Sequence, residues 1–148
     1  MNGLKQPLTV ASLLLATVGL VLSGYLSYVH FNPDALVCSG DGCSIVQLSS
    51  YSKMFGIPIA LFGVLLFITL IGAIVLRELR YAWADTISTG IVVLLVAAVI
   101  YWAYLTYLEA NVIYAFCQWC VITSIVTVIL LAVEGYRWYQ GYQSIGTE

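Results

Sequence analysis

MFGIPIALFGVLLFITLIGAIVL, residues 54–76, contains no Asp, Glu, Lys, Arg or His. The hydrocarbon core of a bilayer takes about 20 apolar residues in helix to cross, so this stretch reads as a membrane span. Three more uncharged stretches flank it, Gln6 to Val29, Thr86 to Leu108 and Ala110 to Val133, and each is long enough to cross. Four spans use up most of the 148 residues and leave no room for a separate soluble domain. The composition agrees, with 62% hydrophobic and 8% charged residues and a mean hydropathy of +1.01, far from soluble-domain averages. The expected fold class is an all-α integral membrane protein, a four-transmembrane-helix bundle. Residues 1–148 form a single membrane domain, and an outer loop, 30–53, joins helices 1 and 2. A net charge of -2 with no basic run excludes a nucleic-acid partner.

Four spans put both termini on one side, together with Lys5, Arg77, Arg80 and Arg137, against Lys53 on the other. The positive-inside rule then makes both termini cytoplasmic. The loop 30–53 and the short turn from Glu109 to Asn111 fall on the extracytoplasmic side, which is oxidising. The expected location is the cell inner (plasma) membrane. The first stretch is longer than the core of a secretory signal, so it reads as a retained span. Gly19, Ser23 and Ser27 recur every four residues along it, and Gly56, Ala60 and Gly63, four and then three apart, form a similar stripe in the second. Such stripes of small residues let helices approach closely in lipid. Pro58 marks a helix start, where its missing amide costs nothing. Tyr25, Tyr28, Tyr81, Trp83, Tyr107, Tyr114, Trp138 and Tyr139 gather near span ends, as an interfacial belt does.

Function becomes specific at the cysteines. Cys38 and Cys43 lie in the outer loop as Cys-Ser-Gly-Asp-Gly-Cys, and Cys117 and Cys120 stand as Cys-Gln-Trp-Cys near the outer start of the fourth span. With helix from Ala110, Cys117 would sit about 10 Å along it and Cys120 one turn deeper. A helix N-terminus and Cys-x-x-Cys spacing both favour the thiolate of the first sulfur, so Cys117 reads as the reactive one. Gly40, Asp41 and Gly42 permit a tight, mobile ring, and small-ring disulfides of this kind are labile. Together the pairs read as a relay, taking electrons from thiols in water and passing them to something dissolved in the membrane. Two static disulfides in a structural membrane protein are the reading from another class. A four-cysteine zinc site would have to assemble half inside lipid, so no metal is expected. Covalent haem needs a His after the second Cys, where Val121 stands.

These features resemble the vitamin K epoxide reductase family, above all its bacterial-type members. The resemblance rests on four spans, an outer cysteine pair, Ser49 six residues after Cys43, the Ser-Tyr-Ser-Lys-Met-Phe-Gly-Ile-Pro-Ile-Ala-Leu-Phe-Gly stretch that follows, and the Cys-x-x-Cys opening the last span. It covers the chain from about Leu8 to Val133. It implies a bundle around a quinone pocket, with ubiquinone, menaquinone or phylloquinone as the acceptor. By the same resemblance Cys38 exchanges with a thioredoxin-fold partner, Cys43 attacks Cys117, Cys120 stands beside the quinone ring, and Ser49 hydrogen-bonds near the active site, a helix cap or turn hydroxyl being the equal alternative for Ser49. Many bacterial members carry a fused thioredoxin-like domain, whereas this chain runs about 15 residues past its fourth span, so the partner is expected in trans. Eukaryotic members have a Tyr where Ser124 stands, which favours disulfide formation by protein-thiol oxidation over the alternative, reduction of vitamin K quinone or epoxide. His30 and Glu109 could each shuttle protons to a reduced quinone, but read more simply as a solvated cap and a membrane-edge charge; Trp119, between the two cysteines, could shield them or touch the quinone, with lipid anchoring the equal alternative.

Overall fold

The computed structural model describes residues 2–146, with side chains from Gln6 onward; Met1, Thr147 and Glu148 lie outside the described residues. In chain order the elements are α1 (Asn2–Phe31), α2 (Gly42–Leu48), β1 (Lys53–Met54), β2 (Ile57–Pro58), α3 (Ile59–Leu79), α4 (Ala84–Leu108) and α5 (Gln118–Gly146). Among these, α1, α3, α4 and α5 are long and apolar enough to cross a membrane. α1 packs along α3 and α5, while α4 lies along α5 and, less extensively, α3. The result is the four-helix membrane bundle expected from the uncharged stretches.

Helices in lipid gain nothing from hydrophobic burial against one another, so close packing and internal polar contacts must hold them together. Close packing is visible at the small-residue stripes. A Cβ on Gly19 would overlap the Phe67 ring, and one on Gly63 would stand 2.8 Å from Ser23 Oγ. Around that contact Ala16, Phe67, Leu70, Ile74, Ile91, Leu95 and Leu130 form the central core. Two buried hydroxyls close on their own helices, Ser27 donating to the Ser23 carbonyl and Thr127 to that of Thr123, which satisfies them without water. At the end remote from the cysteines, Arg77 donates to Glu134 at 2.6 Å, and Arg137 donates to Glu78 at 3.1 Å. Arg77 and Glu134 are 5% and 1% exposed, so α3 and α5 are joined there by a desolvated ion pair.

The boundaries depart from expectation in physically informative ways. The second span starts at Ile59 rather than Met54, because Lys53 pairs with Pro58 and Met54 with Ile57 in a small antiparallel hairpin. Its two-residue turn, Phe55 and Gly56, has φ of 54° and 79°, the left-handed geometry such hairpins require. Pro58 does cap the helix start. The loop 30–53 folds at its centre into α2, whose first turn takes in Gly42 and Cys43 of the expected ring. The expected fourth span from Ala110 is corrected most: α4 continues as a π-turn, Glu109–Ile113, and α5 begins only at Gln118. Tyr114 takes a left-handed φ of 55°, and the amides of Tyr114 and Ala115 both turn back onto the Glu109 carbonyl. That is a helix-ending arrangement, so Tyr114 to Cys117 is a non-helical connection, and Cys117 lies ahead of α5 instead of one turn inside it.

Candidate active site

Cys117 occupies the N-cap of α5. Its carbonyl accepts the first helical bond from Val121 at 3.1 Å, and its Sγ accepts the backbone N–H of Cys120 at 3.4 Å. A capping side chain normally uses an oxygen for this, and here a sulfur takes the same place. The Cys120 thiol also donates to Cys117 Sγ, the two sulfurs standing 2.8 Å apart. Two donors therefore converge on Cys117 Sγ, an environment suited to a thiolate. Cys117 is fully buried.

Cys38 and Cys43 are joined as a disulfide. Cys43 lies in the first turn of α2 and is fully buried, sharing one cluster with Leu26, Val46 and Cys117, against which Cys38, Trp119 and Cys120 pack. This contact depends on Gly42. A Cβ there would collide with the carbonyl oxygen of Phe116, the residue before Cys117. The structure thus brings all four sequence-predicted cysteines together, one pair oxidised and the other held as a dithiol. No group of His, Cys, Asp or Glu able to hold a metal forms among the described residues.

The segment leading into Cys38 is pinned. Trp119 Nε1 donates to the Val37 carbonyl at 2.8 Å, the Val37 amide donates to Tyr25 Oη at 2.9 Å, and Tyr25 Oη donates to the Ala35 carbonyl at 3.4 Å. The Tyr25 and Trp119 rings meet edge to face at 5.3 Å. Trp119 thus ties the loop to the first turn of α5, and Tyr25 belongs to the same clamp as well as to the interfacial belt.

Beside Cys120 opens a small cleft, continuous with the outside, lined mainly by apolar side chains such as Leu26, Ile59, Ala60, Trp102 and Ile113. Its polar lining comes from Gln47, Ser49, Tyr51, Ser52 and Glu109. An apolar lining with sparse polar groups is that of a small-molecule site, and Cys120 borders it. Ser49 reaches this lining, but its hydroxyl donates to the Val46 carbonyl at 2.7 Å, closing the end of α2. Ser124 donates to the Cys120 carbonyl at 2.9 Å.

Sequence reading raised Glu109 as a proton shuttle but preferred a membrane-edge charge. The expected membrane-edge charge is 5% exposed, lines the cleft, and accepts the Cys117 amide on Oε2 at 3.4 Å. The signal was available, since Glu109 is the one charged residue between Asp85 and Glu134, and an ionisable group inside a membrane segment is a functional candidate by default.

The family model for the vitamin K epoxide reductase family matches residues 10–134, which takes in α2, the hairpin, α3, α4, every cysteine and the larger part of α1 and α5. That family's members are membrane oxidoreductases that couple thiol–disulfide exchange to a quinone. With four membrane-long helices, two apposed cysteine pairs and an apolar cleft at Cys120, the chain belongs to the vitamin K epoxide reductase family.

Proposed function

We propose that this protein oxidises the dithiol of an extracytoplasmic thioredoxin-fold partner, acting in trans, and delivers the electrons to a membrane quinone, so generating disulfides for secreted proteins. In a cycle, a partner thiolate attacks Cys38 and releases the Cys43 thiolate; the second partner thiol resolves the mixed disulfide and leaves Cys38 and Cys43 reduced. Cys43 then attacks Cys117 of an oxidised inner pair, releasing the Cys120 thiolate, and Cys38 attacks Cys43 to re-form the loop disulfide. The inner pair is now a dithiol, the state described above. A quinone in the cleft supplies a sink for two electrons and two protons, matching one dithiol-to-disulfide conversion at Cys117 and Cys120. Gln47, Ser49 and Tyr51 are the polar side chains placed to orient it, with Leu26, Ala60 and Trp102 excluding water.

What carries this reading is one observation: Cys43 and Cys117 are both fully buried in a single cluster, while Cys120 borders the apolar cleft. A static pair of staples would need neither this contact between the two pairs nor a cleft beside Cys120. The orientation proposed is both termini cytoplasmic in the plasma membrane, supported by Arg77, Arg80 and Arg137 at the end remote from the cysteines. The test is an anaerobic assay with purified protein, a reduced thioredoxin-like substrate and a soluble quinone, followed by quinone absorbance. Reduction that depends on Cys38, Cys43, Cys117 and Cys120 is the expected result. Activity surviving in both Cys38→Ala and Cys120→Ala would sink the relay.

A further inference from the structure

The relay leaves a buried carboxyl unused. Glu109 sits where α4 gives way to the π-turn, at the level of the α5 N-terminus, with Oε2 on the Cys117 amide and its side chain on the wall of the cleft that Cys120 also lines. No Lys, Arg or His forms an ion pair with it among the described residues, and none lines the cleft. The titratable groups around it are Cys117, whose amide it accepts, and Cys120 and Tyr51, which line the same cleft. A desolvated carboxyl without a cation is expensive to keep in a membrane protein for structure alone. The amide it accepts could be capped by any neutral acceptor.

We infer that Glu109 is the proton relay between the inner dithiol and the cleft. The inference rests on the quinone reading above. Oxidation of Cys117 and Cys120 breaks two S–H bonds, forms one S–S bond, and sends two electrons and two protons to the acceptor, which leaves as quinol. Glu109 takes one of those protons from a thiol as the thiolate forms and returns it to an acceptor oxygen, ending the turnover as it began. The cleft wall offers this route because the carboxyl borders both the Cys117 side and the ligand side, and bulk water does not have to enter.

Glu109→Gln keeps the size and the acceptor for the Cys117 amide but carries no exchangeable acid proton. It should slow quinone reduction by roughly a hundredfold, within the range of a lost general acid or base, and flatten the pH profile of that step. Glu109→Asp, which keeps the carboxyl, should retain more of the rate than Glu109→Gln. A second readout needs no quinone: diamide, which takes up two electrons and two protons, oxidises the inner dithiol while infrared difference spectra follow carboxyl bands. Because Glu109 ends as it began, the wild-type protein should show a transient carboxyl band during the oxidation that Glu109→Gln lacks. Quinone reduction by Glu109→Gln at the wild-type rate, or a wild-type spectrum with no such band, overturns the assignment. A wild-type protein that reduces no quinone overturns the relay instead, and the infrared result then decides Glu109 separately.

Discussion

Gly42→Ala is the most direct test of the proposed passage of electrons from the loop to the membrane pair. Gly42 opens α2 immediately before Cys43, and the methyl group of an alanine would fall on the Phe116 carbonyl, immediately before Cys117. A backbone carbonyl cannot rotate aside as a side chain can. Restoring an ordinary carbon–oxygen contact requires α2 to retreat by about 1 Å. Thiolate attack needs its reacting sulfurs at near-contact distance, and a misplacement of about 1 Å costs on the order of 100-fold in rate. Helix propensity acts in the opposite direction, favouring Ala over Gly by about 1 kcal/mol, so unravelling of α2 cannot produce the loss. The assay is single-turnover: loop cysteines reduced, inner pair oxidised, acid quench, alkylation, and mass analysis of which pair carries the label. Transfer from Cys43 to Cys117 should slow about 100-fold, while Gly24→Ala, where a Cβ meets nothing within 4 Å, serves as the neutral control. Transfer at the wild-type rate in Gly42→Ala would refute the claim that this approach sets the reaction geometry.

Other outcomes follow from the same geometry. Cys120→Ala should abolish quinone reduction while the protein still accepts electrons at Cys38–Cys43, read by alkylation; an unchanged quinone rate would remove Cys120 from the cleft chemistry. Trp119→Phe keeps the edge contact with Tyr25 and deletes the bond to the Val37 carbonyl. At about 1 kcal/mol for such a bond, amide exchange over 35–38 should quicken roughly fivefold by mass spectrometry, and identical exchange would show that the clamp does not hold the loop. Glu134→Leu strands Arg77 in a desolvated site and should destabilise by about 3–5 kcal/mol. Replacing both, as Arg77→Met with Glu134→Leu, should recover most of that in denaturant unfolding of the detergent-solubilised protein. A single variant as stable as the wild type would mean that the pair is solvated after all.

The membrane character and the number of spans were legible because lipid imposes one requirement, about 20 uncharged helical residues per crossing. The small-residue stripe was equally legible, and Gly19 against Phe67 and Gly63 against Ser23 are its physical content. Helix ends were not. Uncharged residues say nothing about backbone direction, so Met54 to Pro58 read as span when Phe55 and Gly56 turn it into a hairpin. Tyr114 carries no turn signature, yet it adopts the left-handed conformation that stops one helix and frees Cys117 to cap the next. Gly40-Asp41-Gly42 read as a flexible ring, because the glycine that matters is small for the sake of Phe116, a contact 74 positions away that no local pattern encodes. The cysteines were found by spacing; the clamp of Tyr25 and Trp119 and the burial of Glu109 were not, since each depends on the loop folding back over α5.

The two ends of the bundle differ for a reason rooted in the solvent. Lipid gives helices no hydrophobic incentive to associate, so a stable bundle needs tight contacts and satisfied polar groups somewhere along its length. Here they lie in the middle and at the end remote from the cysteines, where Phe67 seats on Gly19 and the Arg77–Glu134 pair joins α3 to α5. From Ile59 to Arg77 is 18 residues of α3, roughly 27 Å at about 1.5 Å per residue. With association secured at that distance, the cysteine end is released from the demand for dense packing. It can keep a cleft beside Cys120, a dithiol that has not closed, and a carboxyl with no cation, each of which a stability-driven core would eliminate. The loop is then held to this open end by the Trp119 and Tyr25 hydrogen bonds and by the fit of Gly42 on Phe116 rather than by the bundle core. That arrangement lets the loop disulfide open and re-form while the four membrane helices stay in place.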